Sequence, residues 1–160
     1  MCGIVGFIDL SGNNQFSKDT LEKAVKYIQH RGPDGNNVQL LNNGNCSIGL
    51  GFTRLAIIDL DPRSMQPMVF ENYTILYNGE IYNYKTLKND LLKKGIEFHT
   101  ESDTEVLLRG LIDEGTDFVK KLRGMYAFVL IDRLKKKCII GRDPFGKKPF
   151  YYQCKPGRNG

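Results

Sequence analysis

The chain has 160 residues, of which 41% are hydrophobic and 26% charged, enough for one globular domain with a core. Its longest apolar stretch, Met125 to Ile131, is far too short to cross a membrane, and we expect no signal peptide because the N-terminus lacks a basic start. The net charge of +5 comes in part from Lys135 to Lys137, which we expect in a solvated hairpin turn. Because no basic stripe with interleaved aromatic residues occurs, we expect neither a nucleic acid nor a membrane as partner.

The spacing of the cysteines and histidines does not match a metal site. No two cysteines form a CxxC pair, and only His30 and His99 could join them as ligands, so we expect no bound metal. Free thiols are typical of a reducing compartment, and we therefore expect the protein in the cytoplasm. Apart from Cys2, we expect the cysteines to be packed thiols in or beside strands: Cys46, Cys138 and Cys154.

The first third of the chain predicts two strands with a helix between them. Ile4 to Ile8 is a short apolar run that is typical of a buried strand. Asp19, followed three residues later by Glu22, predicts the N-cap of a helix that ends at Gly32. In the segment from Ile48 to Phe52, apolar residues alternate with small or glycine residues, which predicts a second strand.

The middle of the chain predicts one strand and two helices. Tyr73 to Tyr77 has strand character, and Asn83 is placed to cap the first helix. Ser102 and Glu105 have the spacing of a capping box, which predicts the start of the second helix. Each helix is followed by a glycine, as is common after a helix C-terminus: Gly95 and Gly115.

The last part of the chain predicts three strands, at Met125–Asp132, Cys138–Arg142 and Pro149–Gln153. Strands at both ends of the chain with helices between them indicate an α+β fold with mostly antiparallel strands. Residues 155–160 resemble a turn without its return strand, so we expect that the end of the domain is missing.

Cys2 is the most informative residue of the sequence. If Met1 is removed, which a small second residue generally permits, Cys2 carries both a thiol and a free α-amine. The thiolate is the nucleophilic form of cysteine, and an α-amine titrates at about pH 7.7–8.0, close to the pH at which a general base works. One residue would then supply nucleophile and base. The alternative, a small apolar residue at the start of a buried strand, is common for free cysteines.

Short segments in a fixed order accompany Cys2: His30–Gly35, Gly51–Asp59, Tyr77–Asn83, Ser102–Val106 and Gly141–Pro149. Together they closely resemble the N-terminal glutaminase domain of glutamine-hydrolysing asparagine synthetase. The resemblance runs from Met1 to about Tyr152, and we expect residues 1–160 to belong to one glutamine amidotransferase domain of type 2.

This resemblance implies the N-terminal-nucleophile hydrolase fold, a four-layer αββα sandwich of two antiparallel sheets, here C-terminally truncated. It also implies hydrolysis of the glutamine side-chain amide to glutamate and ammonia through a thioester on Cys2, without a metal or cofactor. In the full-length family, a synthetase domain that requires ATP and Mg uses the ammonia to make asparagine. We expect that domain to be missing from this chain, and the resemblance allows a homodimer.

The resemblance also implies roles for individual residues. Asn78 and Gly79 would donate hydrogen bonds to the oxyanion, although Asn-Gly alone would more often indicate a hairpin turn. Arg54 would bind the α-carboxylate of glutamine, although an arginine at a strand end would by itself more often be an ordinary surface residue. Asp103, assisted by Glu80, would bind the α-ammonium, although a carboxylate in the first turn of a helix is favourable without a ligand. The backbone after Arg54 would line the glutamine pocket: Leu55, Ala56, Ile57 and Ile58.

Two alternatives to asparagine synthesis remain at this point. The first is an amidotransferase half that serves another acceptor, although Leu55 after Arg54 and the absence of tryptophan favour the asparagine synthetase branch. The second is a catalytically silent regulatory or scaffold domain. His30 is not expected to act as a base, because the α-amine of Cys2 would already have that role.

Overall fold

The computed structural model describes residues 2–11, 16–43 and 46–154. Its regular elements are β1 (Gly3–Asp9), α1 (Lys18–Tyr27), β2 (Gly35–Asn43), β3 (Cys46–Arg54), β4 (Met68–Phe70), β5 (Tyr73–Ile81), α2 (Tyr84–Lys93), α3 (Asp103–Glu114), β6 (Gly124–Asp132) and β7 (Lys137–Arg142). Short 3-10 turns occur at Gln29–Arg31, Pro62–Ser64 and Gly115–Lys121.

The strands form two antiparallel sheets, with strand orders β1-β3-β2 and β4-β5-β6-β7. The sheets face each other across a small apolar cluster to which β3 contributes Leu50 and Phe52, while β5 and β6 contribute Leu76 and Ile131. Helix α1 packs against the first sheet, and α2 and α3 lie on the side of the second. The four-layer αββα arrangement that the sequence predicts is therefore confirmed.

Gly51 explains how helix α1 approaches the first sheet so closely. A Cβ at Gly51 would collide with the side chain of Val25 on α1 and crowd that of Val5 on β1. Leu21 and Val25, one turn apart, are the buried residues of α1 and form the apolar stripe that faces the sheet. The neighbours of Gly51 in β3, Leu50 and Phe52, point the other way, into the contact between the sheets.

Helix α3 is the most buried helix and fixes one side of the functional region. Val106, Leu107 and Leu108 are fully buried, and each contributes about 1.5–3 kcal/mol of hydrophobic stabilisation by the usual transfer scale. The helix ends at Glu114, and the C-cap residue Gly115 has a φ of 64°, which glycine adopts with little strain. Within the described residues, no helix combines the length and apolar character that a membrane crossing requires.

The helix starts differ in part from the sequence predictions. Ser17, not Asp19, is the N-cap of α1, because its side chain accepts the hydrogen bond from the Thr20 N–H. Ser102 caps α3 as predicted, through the Glu105 N–H. The side chain of Glu105, however, accepts hydrogen bonds from Thr100 and His99 and does not close the capping box.

The strand predictions at Ile4–Ile8, Ile48–Phe52, Tyr73–Tyr77, Met125–Asp132 and Cys138–Arg142 are confirmed, with longer limits in most cases. The prediction of a strand at Pro149–Gln153 is wrong: these residues have no regular structure, and no described strand pairs with them. Cys154, which directly follows this segment, is exposed, contrary to the expectation of a packed thiol. Residues 155–160, where a turn was expected, lie outside the described part of the chain.

Candidate active site

A cavity of about 110 Å³ lies where β3, β5 and the start of α3 converge. A site of this size has room for several water molecules or one small polar ligand. All the residues that the sequence singles out for the site line it: Cys2, Arg54, Leu55, Ala56, Ile57, Ile58, Asn78, Gly79, Glu80 and Asp103. The fold thus brings residues that are distant in the sequence to the lining of one cavity.

Cys2 precedes β1, and its half-buried side chain lies at the cavity beside the chain that leaves β3. The Leu55 N–H donates to the Cys2 Sγ at 3.3 Å, and the thiol lies 3.5 Å from the Leu55 carbonyl oxygen. The Arg31 Nε donates to the Cys2 carbonyl oxygen at 3.2 Å. These contacts hold the backbone and the sulfur of Cys2, while Met1 lies outside the described residues.

The loop of residues 55–61 after β3 forms the outer wall of the cavity, and Arg54 holds it. The Nη2 of Arg54 donates to the carbonyl oxygens of Asp59 at 2.7 Å and Asp61 at 3.0 Å. Both bonds fall on one nitrogen of the guanidinium, and Arg54, which is only 8% exposed, also lines the cavity. The Asp34 carboxylate accepts from the Ala56 N–H at 2.8 Å and fixes the start of the same loop.

Asp59 connects this loop to α3. Its carboxylate accepts from the Ser64 hydroxyl at 2.6 Å, the Asp61 N–H at 2.8 Å and the Glu101 N–H at 2.9 Å. Although burial acts in the opposite direction, these hydrogen bonds lower the pKa of Asp59. The side chain of Glu101 forms an ion pair with Lys88 at 2.8 Å on the protein surface.

Asn78 and Gly79 lie inside strand β5, so they do not form the hairpin turn that the Asn-Gly pair alone would suggest. Asn78 is only 6% exposed and lines the cavity. A Cβ at Gly79 would collide with the Met125 carbonyl oxygen and crowd the Tyr126 Cα on the neighbouring strand. Only glycine therefore allows β5 and β6 to lie this close together at the cavity.

The backbone N–H of Gly79 points away from β6. Gly79 is paired with Tyr126, but the Tyr126 N–H and carbonyl oxygen both bond to Asp143, at 3.2 and 2.8 Å. Directly opposed residues in antiparallel strands exchange either both of their hydrogen bonds or neither. The Gly79 N–H is therefore directed to the other edge of β5, which faces the cavity.

The same edge of β5 carries two more N–H groups that bond to side chains. The Tyr77 N–H donates to Gln66 Oε1 at 2.6 Å, and the Ile81 N–H donates to Asp103 Oδ2 at 3.1 Å. Gly79 lies between these two positions, so the edge runs from the Gln66 contact past the Gly79 N–H to the Asp103 carboxylate.

Asp103 begins α3 and is 5% exposed. The Tyr77 hydroxyl donates to Asp103 Oδ2 at 2.7 Å, on the oxygen that also accepts from Ile81. Burial raises the pKa of Asp103, while the hydrogen bonds from Tyr77, Ile81 and Thr104 act against the rise. Burial, followed by the Asp103 charge, raises the pKa of Tyr77 well above its ordinary value, so Tyr77 remains a neutral donor.

Sequence reasoning missed several residues that line the cavity: Asp59, Ser64, Gln66, Tyr77, Met125 and Lys148. Asp59, Tyr77 and Lys148 lie within the motif segments and could have been singled out, whereas nothing near Gln66 in the sequence marks it. Burial, followed by the charge of Arg31, lowers the pKa of Lys148, which is 2% exposed.

His30 does not line the cavity; it is exposed, and its Nδ1 lies 3.2 Å from the Tyr27 carbonyl oxygen. Asp143 and Arg142 do not line the cavity but bond to the backbone of Lys148, which does. The Asp143 carboxylate accepts from the N–H of Lys148 at 2.9 Å, and the Arg142 Nε donates to the Lys148 carbonyl oxygen at 2.8 Å. Among the described residues, no cluster of three or more histidine, cysteine or acidic side chains is arranged to hold a metal.

Comparison with known proteins identifies the family of this chain. A family model described as a glutamine amidotransferase domain matches residues 1–159. A putative glutamine-hydrolysing asparagine synthetase of Methanocaldococcus jannaschii is 40% identical over 95% of this chain, and asparagine synthetase 3 of Bacillus subtilis is 37% identical over 95%. The chain covers 32% and 25% of these two proteins, so it spans about a third or less of their length.

Among solved structures, the glutamine phosphoribosylpyrophosphate amidotransferase of B. subtilis aligns with 76% of this chain and 34% of its own, with a TM-score of 0.62 and 25% identity. This similarity confirms the predicted N-terminal-nucleophile hydrolase fold, and the resemblance stated from the sequence is confirmed as well. The chain belongs to the family of glutamine amidotransferase domains.

Proposed function

We propose that this chain hydrolyses the side-chain amide of glutamine to glutamate and ammonia, with Cys2 as the nucleophile. The observation that carries the proposal is the shared cavity, at which Cys2 meets an arginine, a buried aspartate and an N–H edge next to an asparagine side chain. A free amino acid with a side-chain amide has matching groups: a carboxylate, an ammonium and a carbonyl oxygen that becomes an oxyanion.

In the proposed reaction, the Cys2 α-amine, exposed by removal of Met1, takes the thiol proton, and the sulfur attacks the amide carbon. The oxyanion that forms accepts hydrogen bonds from the Asn78 side chain and the Gly79 N–H. The carbon–nitrogen bond then breaks, the α-ammonium returns its proton to the departing amide nitrogen, and ammonia leaves. Water attacks the resulting thioester and releases glutamate with the free thiol.

The direction of the Gly79 N–H supports its assignment. Since Tyr126 bonds to Asp143, the Gly79 N–H faces the edge of β5 that lines the cavity. A donor held in a sheet needs no reorganisation when negative charge develops on the substrate oxygen. We assign Arg54 to the α-carboxylate, and Asp103 with Glu80 to the α-ammonium. The backbone from Leu55 to Ile58 forms the remaining wall.

We further propose that residues 1–160 are the glutaminase part of a longer enzyme that passes ammonia to a synthetase domain in the same polypeptide. The names of the relatives and the small share of their length that this chain covers support the proposal. Such a domain would need ATP and Mg to activate its acceptor, which we propose is aspartate, whereas the hydrolysis at Cys2 needs only water. The free thiols of Cys2 and Cys46 fit a reducing compartment such as the cytoplasm.

Glutamate release from glutamine by the purified chain tests the proposal. We expect release from the wild type and from Cys154→Ala, which removes an exposed thiol that does not line the cavity. We expect none from Cys2→Ala. If the folded wild type with Met1 removed releases no glutamate, the chain is a silent domain and the proposal is wrong.

A further inference from the structure

We infer that Tyr77 is a positioning residue that holds the Asp103 carboxylate on the edge of β5 where the α-ammonium of glutamine binds. The inference rests on the function proposed above and assigns to it a residue that neither touches the reacting amide nor binds the substrate directly. Tyr77 immediately precedes Asn78, so one strand would carry both the oxyanion donors and the support for the ammonium site.

The geometry around Asp103 carries the inference. Tyr77 is 3% exposed, and its hydroxyl bonds to Asp103 Oδ2 at 2.7 Å. The Ile81 N–H bonds to the same oxygen at 3.1 Å. Two donors on Oδ2 fix the rotation of the Asp103 carboxylate. The other oxygen, Oδ1, bonds to neither of these donors and is directed away from them.

A second contact couples the same two elements. Gln66 is 4% exposed and lies between β5 and α3: its Oε1 accepts from the Tyr77 N–H at 2.6 Å, and its Nε2 donates to Thr104 Oγ1 at 3.2 Å. The first turn of α3 is thus bonded to Tyr77 directly through Asp103 and indirectly through Gln66. Backbone and side chain of Tyr77 both contribute to this junction.

The spacing along β5 explains why the position of Asp103 matters. Gly79 and Ile81 are two residues apart, which corresponds to about 6.8 Å along an antiparallel strand. The amide end of glutamine would meet the Gly79 N–H, and its ammonium end would meet the carboxylate anchored at Ile81. A shift of the carboxylate along the strand would misplace the amide carbon relative to Cys2.

The charge state of Asp103 depends on the same hydrogen bond. The charged or titratable groups that line the cavity together with Asp103 are Tyr77, Glu80, Cys2, Arg54, Asp59 and Lys148. Outside the cavity lining, Lys88 on α2 donates to the Thr100 carbonyl oxygen, close to the start of α3. Burial raises the pKa of Asp103, Glu80 adds to the rise, and the Tyr77 hydroxyl opposes it. Removal of the Tyr77 hydroxyl should raise the pKa of Asp103 further. Because only the ionised carboxylate attracts an ammonium, glutamine binding should then be lost at a higher pH than in the wild type.

The test measures binding by calorimetry in a Cys2→Ala background, where no turnover occurs. The two ligands are glutamine and glutaramate, which is glutamine without its α-amino group. Adding Tyr77→Phe should weaken glutamine binding about ten-fold, the typical effect of one hydrogen bond to a charged group, and leave glutaramate binding within two-fold. The acid limit of glutamine binding, that is, the pH below which glutamine no longer binds, should move to a higher value. Tyr73→Phe, on the same strand and packed against the same core, should change neither.

Equal weakening for both ligands, or no shift of the acid limit, would show that Tyr77 has only a structural role and would overturn the inference. Glutamine binding that is unaffected by Tyr77→Phe would overturn it as well, while leaving the proposed function intact. If the Cys2→Ala chain binds no glutamine at all, the proposed function fails, and the inference fails with it.

Discussion

The Asp59 carboxylate accepts a hydrogen bond from the Glu101 backbone N–H at 2.9 Å, across a sequence separation of 42 residues. This bond joins the loop of residues 55–61, which follows Arg54, to the residues that precede Asp103. Arg54 and Asp103 are the side chains assigned to the α-carboxylate and the α-ammonium of glutamine. The substrate-binding groups are therefore part of one hydrogen-bonded unit, and a change at Asp59 should affect residues it does not touch.

Asp59→Ala removes the acceptor for Ser64, Asp61 and Glu101, and it should lower the free energy of unfolding by about 1–3 kcal/mol at pH 7. It should also raise KM for glutamine, because the loop after Arg54 loses its tie to α3. Chemical denaturation and steady-state kinetics measure the two effects. The control Asp90→Ala, which removes an exposed carboxylate paired with Lys93, should change neither.

The effect of Asp59→Ala on stability should depend on pH. Because the pKa of Asp59 is lowered in the folded protein, its stabilising contribution is complete above the unfolded value of about 3.9. The contribution is lost as the pH falls through the lower folded pKa. Unfolding curves of wild type and variant should therefore converge in acid, and a difference that stays constant down to pH 2 would contradict this account.

Arg54→Ala should raise KM for glutamine about 10- to 100-fold and change kcat little, because a carboxylate is bound similarly in the ground and transition states. Arg54→Lys should recover only part of the loss, since the compact lysine ammonium lacks the planar fork with which a guanidinium can bond the two loop carbonyl oxygens and a carboxylate from different nitrogens. Arg133→Ala, at an exposed arginine that donates to the Glu71 and Asn72 carbonyl oxygens and does not line the cavity, is the matched control. A fall in kcat with KM unchanged would show that the assignment is wrong.

Asn78→Ala should lower kcat and leave KM for glutamine unchanged, the reverse of the pattern expected for Arg54→Ala. Removal of one oxyanion donor typically lowers kcat about 100- to 1,000-fold, and KM should stay close to that of the wild type. Asn89→Ala, on the exposed face of α2, should leave both constants unchanged. An Asn78→Ala variant with a normal kcat and a raised KM would place this side chain in substrate binding and not in oxyanion stabilisation.

Asp103→Asn should make the protein more stable and less able to bind glutamine. Burial raises the pKa of Asp103, so the folded state holds its proton more tightly than the unfolded chain does. Stability of the wild type therefore falls as the pH rises through the interval between the two pKa values. The Asn variant lacks this loss, and its Tm should exceed that of the wild type at pH 7. The Tm advantage should shrink towards pH 4, and a pH-independent difference would count against a buried, ionised Asp103.

Much of the architecture could be predicted from the sequence because strong local patterns decide it. The alternation at Ile48–Phe52 and the apolar segment Met125–Asp132 specify strands in two sheets. Strand β2 escaped prediction because asparagine is disfavoured in strands, and pairing with β3 overrides that preference. Pro149–Gln153 has strand character, but a strand forms only where another strand supplies hydrogen-bond partners.

The site could be predicted only in part. Cys2 is recognisable from its position after the initiator methionine, and Arg54, Asn78 and Asp103 are recognisable because they lie in motif segments. The structure brings all four to one cavity. The direction of the Gly79 N–H depends on the register between β5 and β6, which the bonds of Tyr126 to Asp143 reveal and no local pattern encodes. The contacts of Tyr77 and Gln66 likewise arise only when α3 packs against β5.

Mass spectrometry of the chain during turnover tests the central claim most directly. The protein is mixed with excess glutamine, quenched in acid after milliseconds to seconds, and digested for tandem analysis. We predict that Met1 is absent and that a glutamyl group is attached through a thioester to the N-terminal cysteine. A glutamyl adduct on any other residue, or full activity in a chain that retains Met1, would contradict the account.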